Sequence, residues 1–304
     1  MLRVPAGDLV DLLACPHCRG ALHVVGQTLA CAAGHTFDVA RQGYVSLFAG
    51  ASRLEGDSTA MIGARERVEE AGLLASLAHL VIDVVCRATQ GQHVRVVLDA
   101  GGGTGHLLDA VLDAVVDQTS PQDVEGPTEP VPVAGLVVDL SAPALRRAAR
   151  RRPSIVAVRC DLRARWPVAD RSVDVVLDVF APRNPAEVHR VLRPTGALVV
   201  VTPGSGHLAE VAGAVGLVTV DPDKDARVDG QFSPAFVEQG RDTFEIVQSV
   251  AHDLAVDLVA MGPAGVHAER EEIAARLGPT SGTRDVTFSW VCRWYRPREH
   301  REPA

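Results

Sequence analysis

From residue 94 onward, short runs that are apolar throughout alternate with stretches in which apolar positions recur every three or four residues. Residues 94–100, 134–140, 155–158, 173–180 and 197–202 read as buried strands. Residues 106–117, the stretch through Arg152, and 185–192 read as helices between them. Strands that are apolar on both faces and alternate with helices imply an α/β fold of Rossmann-like type, a parallel sheet with helices on both faces. Two later strands, 243–250 and 285–294, can add an antiparallel edge. The run 118–132 is rich in Pro, Asp, Glu and Gly and reads as a solvent loop.

The first third of the chain follows other rules. Residues 1–50 form a small Cys/His/Gly-rich unit that cannot build a core unaided and needs a staple. Residues 51–90 are a linker and a helical segment, with Leu73, Leu74, Leu77, Leu80 and Val81 spaced for one apolar face. The large α/β domain then occupies 91–304.

Composition narrows the class. The chain has 304 residues, 47% hydrophobic and 22% charged, as expected of a soluble globular protein. No apolar run reaches the roughly 20 residues that span a bilayer, and Asp8 and Asp11 interrupt the N-terminal apolar stretch. The expectation is a cytoplasmic protein with no membrane contact. A net charge of −8 argues against non-specific coating of nucleic acid but leaves room for local basic patches. Two arginine clusters are candidates, Arg146, Arg147, Arg150, Arg151 and Arg152, and a tail of Arg293, Arg296, Arg298 and Arg301. Each also reads as an ordinary solvated surface.

Three of the six cysteines fall within the first 31 residues. Cys15, Cys18, Cys31 and His35 give the spacing C-x2-C-x12-C-x3-H, two pairs suited to tetrahedral zinc. All four positions would be filled by protein, so the metal is expected to be structural and to fold a module too small to fold alone. His17, between the first two cysteines, is a competing ligand expected to point outward.

The second constellation begins at Leu98-Asp99-Ala100-Gly101-Gly102-Gly103-Thr104-Gly105-His106. Glycines after a buried strand let the chain turn sharply and bring a ligand against the backbone. NAD-binding and S-adenosylmethionine-binding sheets both have such a loop. Asp139 ends the next strand, where it can accept from ribose hydroxyls, and Asp161 follows the third strand, suiting an adenine amino group. Strand-Asp-x-Gly-x-Gly-x-Gly, strand-Asp, strand-x-Asp is the order of a class I methyltransferase that uses S-adenosylmethionine.

Further motifs make the reading more specific. They are Gly34-His35-Thr36-Phe37-Asp38-Val39-Ala40-Arg41-Gln42-Gly43-Tyr44-Val45; Gly56-Asp57-Ser58 leading to Ala64-Arg65; Val179-Phe180-Ala181-Pro182-Arg183-Asn184-Pro185; and Thr202-Pro203 to His207-Leu208. With the zinc spacing and the glycine loop, these resemble the bacterial 23S rRNA guanine-N1-methyltransferases over nearly the whole chain. The family includes the branch of macrolide-producing actinobacteria that confers tylosin-type resistance. The resemblance implies zinc on Cys15, Cys18, Cys31 and His35, and cofactor contacts from Gly105, His106 and His207. It also implies a contact at Leu74, where other members carry a tyrosine, and leaves a homodimer open.

Methyl transfer to guanine N1 needs an in-line approach and removal of the N1 proton. Asp178 or Asp57 is a candidate for assisting that loss, and Phe180 for stacking on an extruded base. The expected partner is a hairpin loop of 23S rRNA, because Watson–Crick pairing blocks guanine N1. Arg41, Tyr44 and Arg53, just past the zinc ligands, are candidates for gripping it. Two other readings stand beside this one: a methyltransferase acting on a small molecule, and a non-enzymatic zinc-containing binding protein on a methyltransferase-like fold.

Overall fold

A computed structural model describes residues 7–50, 54–119, 133–215, 224–278 and 282–298. After a short helix α1 (Gly7–Val10), the strands β1 (Leu22–Val25), β2 (Thr28–Cys31) and β3 (Thr36–Asp38) form a three-stranded antiparallel sheet. A two-residue strand β4 (Val45–Ser46) leads to helices α2 (Thr59–Glu70) and α3 (Ala75–Ala88). The alternating region follows: β5 (Val96–Ala100), α4 (His106–Thr119), β6 (Ala134–Asp139), α5 (Ala142–Arg151), β7 (Ile155–Arg159), β8 (Val173–Val179), α6 (Pro185–Val191) and β9 (Leu192–Pro203). The chain continues through α7 (Ala209–Ala212), α8 (Lys224–Phe232), β10 (Phe236–Ala251), α9 (His252–Ala260), α10 (Arg270–Leu277) and β11 (Thr283–Pro297).

Eight strands make one sheet in the order β10-β11-β9-β8-β5-β6-β7-β4. The run from β9 to β4 is parallel, and β11 joins β9 and β10 antiparallel. The strand order reverses beside β5, so the carboxyl ends of β5 and β8 flank a topological switch point, where open α/β sheets bind ligands.

Alternate side chains of the central strands feed two cores. Val97, Val137, Val175 and Leu177 point to the face covered by α3, α4 and α9, with Val81, Val111 and Val256 among the buried partners. Val96, Leu98, Leu136, Val138 and Val176 point to the other face. There they share a core with Leu13, Leu22, Leu29 and Leu47 of the zinc-spaced segment and with Val188 and Phe232. Backbone bonds reinforce this docking: Ala14 N–H donates to Pro167 O at 3.1 Å, Leu47 N–H to Arg159 O at 2.9 Å, and β4 pairs with β7.

The expected strands and helices are present, and the tail strands run longer than periodicity suggested. The segment at 53–90 contains two helices, α2 and α3, bent by 80° around Gly72. No single helix among the described residues is long and apolar enough to cross a membrane. Helices α9 and α10 carry short apolar stretches that periodicity alone did not single out. Asp257 on α9, 1% exposed, accepts from Arg67 on α2 at 2.7 Å and from Arg270 on α10 at 2.8 Å, and so ties three helices together. Most of the loop at 118–132 lies outside the described residues.

Candidate active site and metal centre

Two turns build the metal centre. Cys15 and Cys18 sit on a knuckle closed by Cys15 N–H to Gly20 O and Arg19 N–H to Cys15 O, both 2.8 Å, with Arg19 at φ 65°. Cys31 ends β2, and the turn through Gly34 (φ 84°) returns His35 beside it. The four ligand atoms all lie within 4.8 Å of one another. Individual separations are 3.3 Å for Cys31 Sγ to His35 Nδ1, 3.5 Å for Cys18 Sγ to Cys31 Sγ, and 3.6 Å for Cys15 Sγ to His35 Nδ1. Metal bonds of about 2.3 Å to sulfur and about 2.0 Å to nitrogen in a tetrahedron need ligand spacings of this size. Three thiols and one imidazole suit zinc and leave no position open. His17 is exposed and stacks on Phe37 (centroids 5.9 Å, planes 12°) outside the set.

The second site is a cavity of 610 Å³ at the carboxyl ends of β5, β6, β8 and β9. It is roofed by α2, by the bend before α3 and by the segment after α9. Its lining includes Asp57, Leu74, Asp99, Gly101, His106, Asp139, Asp161, Phe180 and His207, so most of the scattered sequence candidates meet in one place. Gly103, Gly105 and Asp178 are not in the lining.

The glycine loop forms the floor. Gly101 has φ 76°, and a Cβ there would stand 2.7 Å from the Ala181 methyl. Gly103 has φ 56°, its N–H donates to Asp139 at 3.0 Å, and a Cβ there would meet Arg65 Nη1 at 2.7 Å. Only glycine meets both demands, a left-handed backbone and no side chain. Gly105 instead faces Ala148 and lets α4 approach α5. Such a bare cradle, opening at the N-terminus of α4, is what a nucleoside cofactor requires.

Acids line the wall above. Asp139 accepts from the N–H groups of Gly103 (3.0 Å) and Ser141 (2.7 Å), which fixes its carboxylate in the cavity wall at the end of β6. Burial raises its pKa, against those two N–H donors. Asp99 is 2% exposed; burial, then the nearby Asp139 and Asp178, push it up to about 7, with Arg65 pulling the other way. Asp161 Oδ1 accepts from Arg163 N–H at 2.9 Å. Asp57 pairs with Arg65 at 2.9 Å, and its carbonyl accepts from Ser141 Oγ at 2.7 Å, so it stands on the Asp139 side of the cavity. Asp178 is 2% exposed behind the wall and is pushed up to about 7 by burial, against Arg183 and the Ala181 N–H. A proton acceptor must touch the reacting base, and Asp178 has no face in the cavity.

Aromatic rings mark the outer end. Phe180 is 47% exposed, sits at φ 58°, and is held by its N–H to Val201 O at 3.2 Å. His207 stacks against it, and Phe288 and Trp290 from β11 line the same end. His207 Nδ1 accepts from Ser289 N–H at 3.3 Å, so in the neutral ring the proton is on Nε2.

Sequence reasoning passed over Glu69, which lines the cavity, and gave Arg65 no role. Both lie on an amphipathic helix where polar positions look solvated; only the Ala64-Arg65 motif hinted at them. Several arginines of the two clusters are engaged within the protein, while Arg146, Arg150 and Arg298 are exposed. Arg147 pairs with Glu66, Arg151 with Glu69, and Arg152 with Asp109 and Asp113. Arg293 is fully buried, Arg296 donates to the carbonyls of Ala88 and Thr195, and Arg298 to Ser233 O. Arg41 is exposed and Tyr44 half-buried; Arg53 and Arg301 lie outside the described residues.

Comparison with known proteins bears on both sites. A family model described as "RlmA, N-terminal", a zinc ribbon, matches residues 13–49. The 23S rRNA (guanine(748)-N(1))-methyltransferase of Streptomyces fradiae is 39% identical over 289 residues, 94% of this chain and 98% of that protein. A Micromonospora griseorubida protein with a 23S rRNA (guanine-N(1)-)-methyltransferase name is 41% identical over 306 residues, 95% of this chain and 99% of that one. Among solved structures, a loganic acid methyltransferase with SAH superposes with a TM-score of 0.54 at 9% identity, over 82% of this chain and all of that one.

Proposed function

Since the chain belongs to the 23S rRNA (guanine-N1)-methyltransferases, we propose that it transfers a methyl group from S-adenosylmethionine to N1 of a guanine in a hairpin loop of 23S rRNA, in the cytoplasm. The observation that carries this reading is the single cavity in which a glycine cradle, Asp139 and Asp161 adjoin an aromatic mouth at Phe180 and His207. One half suits a nucleoside cofactor, and the other suits a flat base turned out of its strand.

When bound, S-adenosylmethionine supplies an electrophilic methyl group on a sulfonium. The chain's own residues do the rest. Asp139 holds the ribose hydroxyls, and Asp161 accepts from the adenine amino group. Gly101 lets the backbone close on the cofactor, Gly103 and Gly105 shape the loop behind it, and Leu74 and His106 complete its surroundings. His207 meets the cofactor beside Phe180, and Phe180 fixes the plane of the guanine, so that positioning and exclusion of water provide much of the acceleration. Asp178 stands behind the wall, so Asp57, which lines the cavity and pairs with Arg65, is the carboxylate placed to assist loss of the N1 proton.

Zinc on Cys15, Cys18, Cys31 and His35 keeps the ribbon folded beneath the sheet. The segment after it, with exposed Arg41, is the grip on RNA.

The test is primer extension on 23S rRNA treated with the zinc-loaded protein and S-adenosylmethionine. The expected result is one new stop at the guanine for which the S. fradiae relative is named. Methyl incorporation into a metabolite extract, with none into rRNA, would favour the small-molecule reading instead. A raised inhibitory concentration of tylosin in cells carrying the gene is the corresponding test of resistance.

A further inference from the structure

The cavity is rich in acid, yet it must take a cofactor that ends in a carboxylate. Asp57, Glu69, Asp99 and Asp139 all line it. Such a field welcomes a sulfonium and an ammonium and repels a carboxylate. Two arginines line the cavity, Arg65 and Arg163, and Arg65 is the one set among these acids: it pairs with Asp57 and favours the ionised forms of Glu69, Asp99 and Asp139.

Its geometry is prepared for one more acceptor. Arg65 Nη2 donates to Asp57 Oδ2 at 2.9 Å and to Met261 O at 3.3 Å, which fixes the plane of the guanidinium. Nη1 lies over Gly103, where a Cβ would come within 2.7 Å, and makes no hydrogen bond among the described residues. Glu69 is one helical turn further along α2, on the same face. It accepts from Thr104 Oγ1 at 2.7 and 3.0 Å and from Arg151 at 3.3 Å, which locks its carboxylate against the glycine loop. Its side chain is 8% exposed, and the surface it retains is part of the cavity lining.

We propose that Arg65 and Glu69 form the subsite for the α-amino-acid end of the cofactor, Arg65 donating to the carboxylate and Glu69 accepting from the ammonium. The assignment rests on the reading of the cavity as an S-adenosylmethionine site. A donor-only cation and an acceptor-only anion at i, i+4 spacing match the two ends of a zwitterion, and neither group can serve the other end. Arg67, two residues on, is turned away to Asp257, so α2 stays anchored whatever becomes of the other pair.

Calorimetry on the full-length, zinc-loaded protein separates this from a structural role. The ligands are S-adenosylhomocysteine, which carries the amino-acid end, and 5′-methylthioadenosine, which lacks it. Loss of one charge-assisted hydrogen bond should weaken binding by roughly ten- to a hundredfold. Arg65→Gln and Glu69→Gln are each expected to weaken S-adenosylhomocysteine on that scale and to leave methylthioadenosine within about twofold of the parent. Arg65→Lys should fall between parent and Arg65→Gln. Unchanged S-adenosylhomocysteine affinity in either glutamine variant overturns that half of the subsite. Parallel loss of both ligands overturns it as well, because the residue then only supports the fold. A parent protein that binds methylthioadenosine but gains nothing from the amino-acid end sinks the subsite alone, whereas one that binds neither ligand sinks the methyltransferase reading with it.

Discussion

Phe180 and His207 stack at the mouth of the cavity with ring centroids 6.1 Å apart and planes inclined by 23°. One follows β8 and the other follows β9, adjacent parallel strands whose carboxyl ends open on the same crevice. Phe180 reaches this place only by adopting φ 58°, a conformation that disfavours any residue with a Cβ by roughly 1–2 kcal/mol. An aromatic ring that is half in solvent and set on a strained backbone is poorly explained by packing. It is what the proposed stacking on an extruded base calls for.

That strain gives the first prediction. Phe180→Ala and Phe180→Gly lose the same ring, but only glycine adopts the backbone freely. The glycine variant should therefore be the more stable of the two by about 1 kcal/mol in denaturant titrations, the reverse of the usual order. Both should lower the rate on RNA by about tenfold or more while retaining S-adenosylhomocysteine binding. An alanine variant that outlasts the glycine variant would show that no strain is stored at this position.

Gly101 provides a second, controlled comparison. Gly101→Ala combines φ 76° with a Cβ 2.7 Å from the Ala181 methyl, whereas Gly26→Ala has φ 61° and nothing within 4 Å. Both carry the backbone penalty, and only the first carries the clash. Gly101→Ala should be more destabilising by about 1–3 kcal/mol and should lose cofactor binding. Equal melting temperatures would show that the loop yields without resistance.

Asp178 sets the sign of a pH effect. Its folded pKa is raised to about 7 by burial, above the usual carboxylate value of about 4. Between those values the folded state holds a proton that the unfolded state has released. The group's contribution is therefore best at low pH and declines as pH rises toward and past 7. Asp178→Asn removes this dependence. Relative to the parent, the asparagine variant should gain more at pH 8 than at pH 6, as read from the difference of the two melting-temperature differences. The same gain at both pH values would mean that Asp178 does not titrate between pH 6 and pH 8 in the folded protein.

Removal of the metal should reach beyond the ribbon. Leu13, Leu22 and Leu29 share a core with Leu98, Leu136, Val138 and Val176 of the main sheet. Chelation is expected to expose one face of that sheet, lower the melting temperature of the whole chain and release one zinc per chain, read with a colorimetric chelator. Cys31→Ser should reproduce the destabilisation without chelator. A ribbon that melts separately, leaving the main transition in place, would contradict the shared core.

The linear order of residues was enough to establish much of this protein. The fully apolar runs dictated a parallel sheet, because a strand buried on both faces has no side left for polar groups. The spacing of Cys15, Cys18, Cys31 and His35 defined a metal centre, since two short turns bring four ligands together whatever surrounds them. Asp99, Asp139 and Asp161 were legible because each occurs at or just past the end of a strand, and parallel strands end together. The tertiary structure alone decided what faces the cavity. It turned Asp178 behind the wall and brought Arg65 and Glu69, polar positions on a helix that precedes β5, over the glycine loop that follows it. It also laid the ribbon beneath the sheet and folded the segment after α9 across the roof. Local pattern reports which face of an element is apolar. Which element that face meets is set by the packing of the whole chain, and a short window of sequence carries no record of it.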